Sequence, residues 1–528
     1  GDTVGDHAIA VTLTTPGGAV LKKTLALGIR RNDPVTSTTR RFSLGVGEVF
    51  TFDDAVLAGL RPASATATLS AGPLARFDMP GLLTRLDRYP YGCTEQLTSG
   101  AMPLLYLSQL AGSVGIEDTR KRVDATIARL LTRQAENGGF GLWRVGSGDT
   151  WLNAYVTDFL TRAQAQGYVV PERAMTAALD NLLNRVSYAP DFDIGGEDIA
   201  YALLVLARNG KASMGDLRYY ADTKADAFAT PLAAAQIGAA LALYGDQLRA
   251  DRMFGVASEK LSRTAPEAAV WRSDYGTSLR DAAGVLKLAA EVGSTAVDRA
   301  ALGNRIGTAP RRLSTQEAVQ VLLAAHALGT DGAAPGLTVN DTPASGPVAE
   351  QRRAGDLPDL VRNVSGQPMD LTVTAFGVPE TAPEAGGYGY AIQRTYYTLD
   401  GAATSAPFAA GERRVAVLTI IPFEEVGARL MIDDALPAGL EIDNPNLLRS
   451  GDVRALDWLK PKQAEMAEFR ADRFLAAVDH RGSEAFTLAY IVRAISPGVY
   501  HHPAALVEDM YRPEYRAVSS TGRLTVTE

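Results

Sequence analysis

Tyr89-Pro90-Tyr91-Gly92-Cys93-Thr94-Glu95-Gln96 contains the only cysteine in 528 residues, with a glutamine three places after it. A lone cysteine has no partner for a disulfide within its own chain, and such residues are ordinarily small buried hydrophobes. The neighbours of this one argue for chemistry. Pro90 and Gly92 form a constrained turn just before a helical start, and Pro103 limits the first helical run. Positions i and i+3 of a helical turn share a face, so the Cys93 sulfur can reach the Gln96 carboxamide. A helix N-terminus is expected to favour thiolate and to stabilise a developing oxyanion through its free N–H groups. Attack of sulfur on the carboxamide would expel ammonia and leave an internal thioester, an activated acyl group awaiting a stronger nucleophile. Cys93 and Gln96 are therefore the candidate reactive pair.

Around this segment, from about Met79 onward, apolar residues recur at helical spacing. Val123, Ile127, Leu130 and Leu131 mark one stripe, ending at Asn137-Gly138. Trp151, Leu152, Tyr155, Val156, Phe159 and Leu160 mark another. Ser314-Thr315-Gln316-Glu317 fits a capping box ahead of a last helix. Many short, Ala-rich amphipathic helices in succession predict paired helices closing on one core, an α/α toroid. The flanks have the two-residue period of strands. Ile9, Val11 and Leu13 alternate near the start; Val415, Val417, Thr419 and Ile421 alternate near the end, as do Phe486, Leu488, Tyr490 and Val492. The stretch 336–359, polar and rich in Pro and Gly, reads as a linker. The order β, then α, then β predicts a helical domain inserted in a β domain, followed by a separate β-sandwich.

Composition excludes some functions. A net charge of −8 with no block of Lys and Arg argues against nucleic acid as a partner. No apolar run is long enough to span a bilayer. The first residues are neither an initiator Met nor a signal peptide, so the chain reads as part of a longer one. Asp191, Asp193, Glu197 and Asp198 form an acidic cluster that suggests a metal or diphosphate site. It lacks a second acidic motif and a basic clamp, so helix capping is the better reading. No cofactor and no metal are expected.

The thioester segment resembles that of the alpha-2-macroglobulin and complement superfamily, its bacterial branch most closely. Gly138-Gly139-Phe140-Gly141-Leu142-Trp143, Asp149–Tyr155, Asp274–Asp281 and Val507–Pro513 match the same branch. The resemblance implies a CUB-like β domain beginning in 1–78, possibly with the end of a preceding macroglobulin-like domain. The toroid would fill 79–335, the CUB-like domain would resume over 336–400, and a macroglobulin-like β-sandwich would close the chain over 401–528. It also implies a single-use protease inhibitor, not a turnover enzyme, whose thioester acylates lysine amines of the attacking protease. A monomer in the periplasm, anchored to the inner membrane outside this segment, is expected. The familiar motif carries Gly where Thr94 stands. Complement-type members use a later His to redirect the thioester toward hydroxyls; here the helical stretch has His326 alone, on an apolar face, which favours direct aminolysis.

A thioester must be kept from water. Tyr89, Tyr91, Phe140 and Trp143 are candidates for an apolar cover, and Met510 and Tyr511, with Tyr515 nearby, for a lid from another domain. Two rival readings remain at this stage. An inert structural or adhesive relative would carry an unreactive thioester. An α/α-toroid enzyme would need paired acidic residues across its cavity, and only the weak cluster above is on offer.

Overall fold

Strands from both sides of the helical stretch pair with one another, so the helices are an insertion. A computed structural model of the chain describes residues 5–29, 32–72, 75–263, 272–307, 312–329, 336–425, 427–443 and 459–528. Met369–Gly377 lies between Thr36–Leu44 and Thr66–Ala71, with Val348–Arg353 at the far edge. A second four-stranded sheet orders Val49–Phe52, Asp359–Asn363, Leu337–Val339 and Thr342–Pro343. Their inner faces share a core that includes Phe52, Leu69, Val361, Leu371 and Val373. The stretch expected to be a linker therefore supplies three short strands. Its Pro and Gly content hid them, because Pro343 sits at a sheet edge and Asn340-Asp341 turn with positive φ. The boundary expected at 335 falls on residues outside those described.

The hairpin Gly5–Thr14 and Val20–Ile29 pairs only with itself among the described residues. The insertion starts at Asp78. This residue takes a left-handed backbone (φ 49) and caps Met79–Asp87 by accepting from Gly81 N. Its other oxygen accepts from Thr374 Oγ1 at 2.6 Å on the central strand, which ties the first helix to the sheet. Burial raises the Asp78 carboxyl to about 6, although that Thr374 bond opposes the rise.

In the helical domain, buried and amphipathic helices alternate. Thr94–Ala101, Thr150–Ala165, Glu197–Arg208, Pro231–Leu243, Ser278–Glu291 and Thr315–Ala327 form an inner ring, each touching the next, and the last touches the first. Thr119–Leu131, Glu172–Ser187, Met214–Thr223 and Gln247–Arg263 lie outside, burying one stripe each. Ring closure makes this an α/α toroid, as expected. The predicted capping box is present at Ser314 and Glu317.

A six-stranded sheet and a four-stranded sheet form the closing sandwich. Tyr390–Tyr397 pairs along its length with Arg413–Pro422, and Gly386–Tyr388 with Arg512–Val518. Both belong to the sandwich by pairing, so the expected boundary at 400 falls too late. Spacing alone could not place it, because strands of either domain carry the same two-residue period. That period also divides the strands facing the toroid. In Ala428–Ala435 and Arg473–His480, Leu430, Ile432, Phe474 and Ala476 enter the sandwich core, whereas Met431, Leu475 and Ala477 join the core of the helical domain. The sandwich thus docks on the toroid through the buried Met431, Leu475 and Ala477, with Met510 and Tyr511 in the same cluster. No helix among the described residues is long and apolar enough to cross a membrane.

Candidate functional site

Helix Thr94–Ala101 begins with a reciprocal cap. Gln96 N donates to Cys93 Sγ at 3.4 Å, and Cys93 N donates to Gln96 Oε1 at 3.1 Å. A hydroxyl residue ordinarily fills the first position of such a box, with Glu or Gln at the third helical residue. With Cys in that place, the local interaction that starts the helix also sets the thiol against the carboxamide. The donor on Oε1 already stands where negative charge would develop if sulfur attacked the carbonyl carbon.

A strap holds the loop from outside. Thr94 N donates to Leu142 O at 2.7 Å, and Thr94 Oγ1 donates to Gly141 O at 2.5 Å. Arg133 bridges the two segments, donating to Thr94 Oγ1, to Leu142 O and to Gly92 O. The strap is shaped by Gly138, which has φ +82 and would place a Cβ 2.0 Å from Ala177 O. Asn153 Oδ1 then accepts from Phe140 N at 2.6 Å. Thr94 is fully buried with both polar groups bonded and without positive φ, so its departure from Gly is accommodated.

Cys93 is fully buried. Burial pushes its thiol well above the ordinary range and the nearby Glu95 adds to the rise, outweighing the backbone N–H of Gln96. The expectation that the helix N-terminus would favour thiolate is thus overturned: desolvation of a charge in a closed site exceeds what a few N–H dipoles return. Glu95 is also fully buried, and burial raises its carboxyl despite the bonds that oppose it. Those come from Ser99 at 2.5 Å, Gln316 at 2.6 Å, Thr315 at 3.1 Å and Tyr511 at 3.1 Å. One carboxyl therefore joins the first and last inner helices of the ring and the sandwich.

The segment expected to form a lid touches the amide directly. Gln96 Nε2 lies 3.2 Å from Met510 Sδ and 3.5 Å from Tyr89 Oη. Tyr511 packs edge-on against Tyr275, with ring centres 5.0 Å apart, and the Arg429 guanidinium lies 3.9 Å from the Tyr275 ring centre. Tyr91 stands edge-on to Tyr89 and donates to Asp433 of the sandwich at 3.4 Å. Tyr89, Tyr91, Met510 and Tyr511 are thereby brought together around Cys93 and Gln96. Phe140 and Trp143 act differently from their expected role. Phe140 lies in the helical core and Trp143 packs at its margin, and among the described residues neither makes a ring contact or hydrogen bond to the pair. Their segment contributes the backbone strap instead. Tyr515 is turned into the sandwich core and stacks edge-on with Tyr388.

Sequence reasoning gave no role to Glu95, Arg133, Tyr275 or Arg429. Glu95 lay inside the quoted motif and Tyr275 inside a matched segment, so both carried a signal; the two arginines carried none. His326 is exposed, not on the buried face, and stacks on Tyr106. Asp191 pairs with Lys224, and Asp198 accepts from Ile199 N in the first turn of its helix. No cluster of acids, His and Cys suited to a metal occurs among the described residues.

Two family models match. Residues 70–188 fit the A-macroglobulin TED domain, and residues 389–514 fit the bacterial Alpha-2-macroglobulin MG10 domain. Alpha-2-macroglobulin of Escherichia coli strain K12 is 33% identical, the match covering 99% of this chain and 34% of that protein. A relative of the same name from Xylella fastidiosa strain Temecula1 is 30% identical over 98% of this chain. The chain thus spans about a third of the length of these relatives. A crystal structure of native Escherichia coli alpha-2-macroglobulin, from domain MG7 to the C-terminus, superposes with a TM-score of 0.87 at 30% identity. It covers 100% of this chain and 88% of that one. Salmonella alpha-2-macroglobulin reacted with methylamine gives the same TM-score at 32% identity, over 100% of this chain and 36% of that one.

Proposed function

The chain belongs to the bacterial alpha-2-macroglobulins, and we propose that it carries the reactive and lid-bearing part of a protease inhibitor that captures its target covalently, once. The observation that carries this reading is the arrangement of the Gln96 carboxamide: Cys93 Sγ and N–H on one side, Met510 and the half-buried Tyr89 on the other, with Cys93, Gln96 and Met510 out of water. In formation, Cys93 Sγ bonds to the Gln96 carbonyl carbon. The C–N bond breaks, and Nε2 leaves as ammonia carrying the thiol proton. Charge on Oε1 is met by the Cys93 N–H. In capture, a lysine amine bonds to the same carbon, the C–S bond breaks, and the amine proton ends on the freed sulfur.

Water could do the same, so a closed lid is needed before the target arrives. Movement of the sandwich would withdraw Met510 and Tyr511 together and expose the pair. The methylamine-reacted Salmonella relative supports amines as the attacking class. An exposed His326, stacked away on Tyr106, leaves direct aminolysis as the route. The two four-stranded sheets that flank the helical insertion would be the CUB-like domain. The whole protein would act as a monomer in the periplasm, held at the inner membrane, with proteases as its partners.

Peptide mapping after exposure to Nα-acetyl-lysine tests the chemistry. The expected product is an amide joining that amine to the Gln96 side chain, absent from a Cys93→Ala variant. An unmodified Gln96 in the wild-type chain would remove covalent capture from the reading.

A further inference from the structure

Where the first toroid helix, the sheets and the sandwich meet, the structure holds a cleft of about 820 Å³. Six arginines line it: Arg61, Arg85, Arg88, Arg312, Arg473 and Arg516. Four carboxylates share it, two fewer than the arginines. Asp33 bonds His501, and Asp433 bonds Arg473 and Tyr91. Glu380 meets Arg61 only through its backbone oxygen among the described contacts. Glu508 is the single acid between Arg312 and Arg516, at 3.9 and 3.8 Å, beyond hydrogen-bond range of either.

Arg85 is left with less. Its Nη2 donates to Ser37 Oγ at 3.3 Å, and its buried Nε has no partner among the described residues. Burial lowers its guanidinium to about 10 and Arg312 adds to the fall, while Asp78 and Glu508 oppose it. Burial likewise lowers Arg516 and Arg88. Guanidinium groups that outnumber the acids and face one cavity make a site that an oxyanion would complete, since their planar forks match phosphate geometry.

We propose that this cleft binds a small multivalent oxyanion of the phosphate class, held chiefly by Arg85, Arg312 and Arg516. These residues come from the first toroid helix, the approach to the last one and the sandwich. The volume suits a phosphate carried on an organic body, which Phe376, Val378 and Leu506 would contact. Tyr89 and Tyr91 form part of the wall, so an occupant would fasten the sandwich against the loop that carries Cys93. Only that last consequence rests on the thioester reading; binding itself does not.

Titration calorimetry of the chain with sodium pyrophosphate, at ionic strength fixed with chloride, tests the site before and after methylamine treatment. One saturable event is expected in both, weakened about tenfold or more by Arg85→Gln and by Arg516→Gln. Glucose 1-phosphate, run alongside, binds more tightly than inorganic phosphate if an ester is the natural form, and no better if the free anion is. Tungstate soaked into crystals should give density among Arg85, Arg312 and Arg516, a readout that needs no variant to fold. Absence of saturable heat, affinity unchanged from wild type in both variants, or tungstate bound only elsewhere would overturn the proposal. If untreated and treated chains bind alike and the untreated chain reacts with methylamine equally fast with or without pyrophosphate, the site stands and its link to the lid falls.

Discussion

Tyr511 shows how much one hydroxyl carries at this site. It donates to Glu95, its ring packs on Tyr275, and Met510 beside it meets the Gln96 amide. Tyr511→Phe keeps the ring and removes that donor from a buried acid, at about 1–3 kcal/mol. Release of the Cys93 thiol by methylamine should then speed by about tenfold or more, and by more again in Met510→Ala/Tyr511→Ala. Unchanged release in the double variant would remove these residues from the lid. The meeting of Cys93 with Gln96 was legible at this scale, because positions i and i+3 of a helix start share a face. The state of the thiol was not legible. A helix N-terminus can be read from spacing, but the burial that outweighs it depends on Met510 and Tyr511, more than 400 residues away.

Among the elements, the strap over the thioester loop depends on Gly138. Any side chain there meets Ala177 O while holding φ near +82, so Gly138→Ala should cost about 2 kcal/mol or more, seen in denaturant unfolding. An unchanged midpoint would mean the strap can move without loss. The inner ring makes a second prediction. Lys287 on Ser278–Glu291 is buried, donates to Gln320 at 2.9 Å, and is lowered by burial to about 8 from 10.5. Between those values the folded chain binds fewer protons than the unfolded one, so stability rises with pH across that window; below it the full penalty stands. Lys287→Met should remove that rise, worth on the order of 3 kcal/mol, and leave the variant the more stable at pH 7. A wild-type melting profile flat from pH 8 to 10 would contradict this. Toroid helices and sandwich strands were legible because their periods run long. The strands within 336–359 were not, since segments of two to six residues among Pro, Asn and Gly carry no period to read.

For the whole molecule, the decisive feature is that the middle of one sheet is buried on both faces. Met431, Leu475 and Ala477 point away from the sandwich core to complete the helical core, so Met510 and Tyr511, on the turn between Ala505–Asp509 and Arg512–Val518, are held in place by a docked domain. Met431→Asp would bury an unpaired charge there and should undock the sandwich. Spontaneous thiol release should rise by about tenfold or more while circular dichroism stays near wild type; a variant that unfolds globally would show instead that the two bodies do not separate. Sequence could not foresee this docking, because alternation marks which residues share a face and not what covers it. The most direct test of the account is intact mass with thiol titration, before and after methylamine. The account predicts a chain lighter by one ammonia with no titratable thiol, which then gains one methylamine and frees one thiol. A mass matching the unreacted chain, with Cys93 titratable after unfolding and unchanged by methylamine, would contradict it.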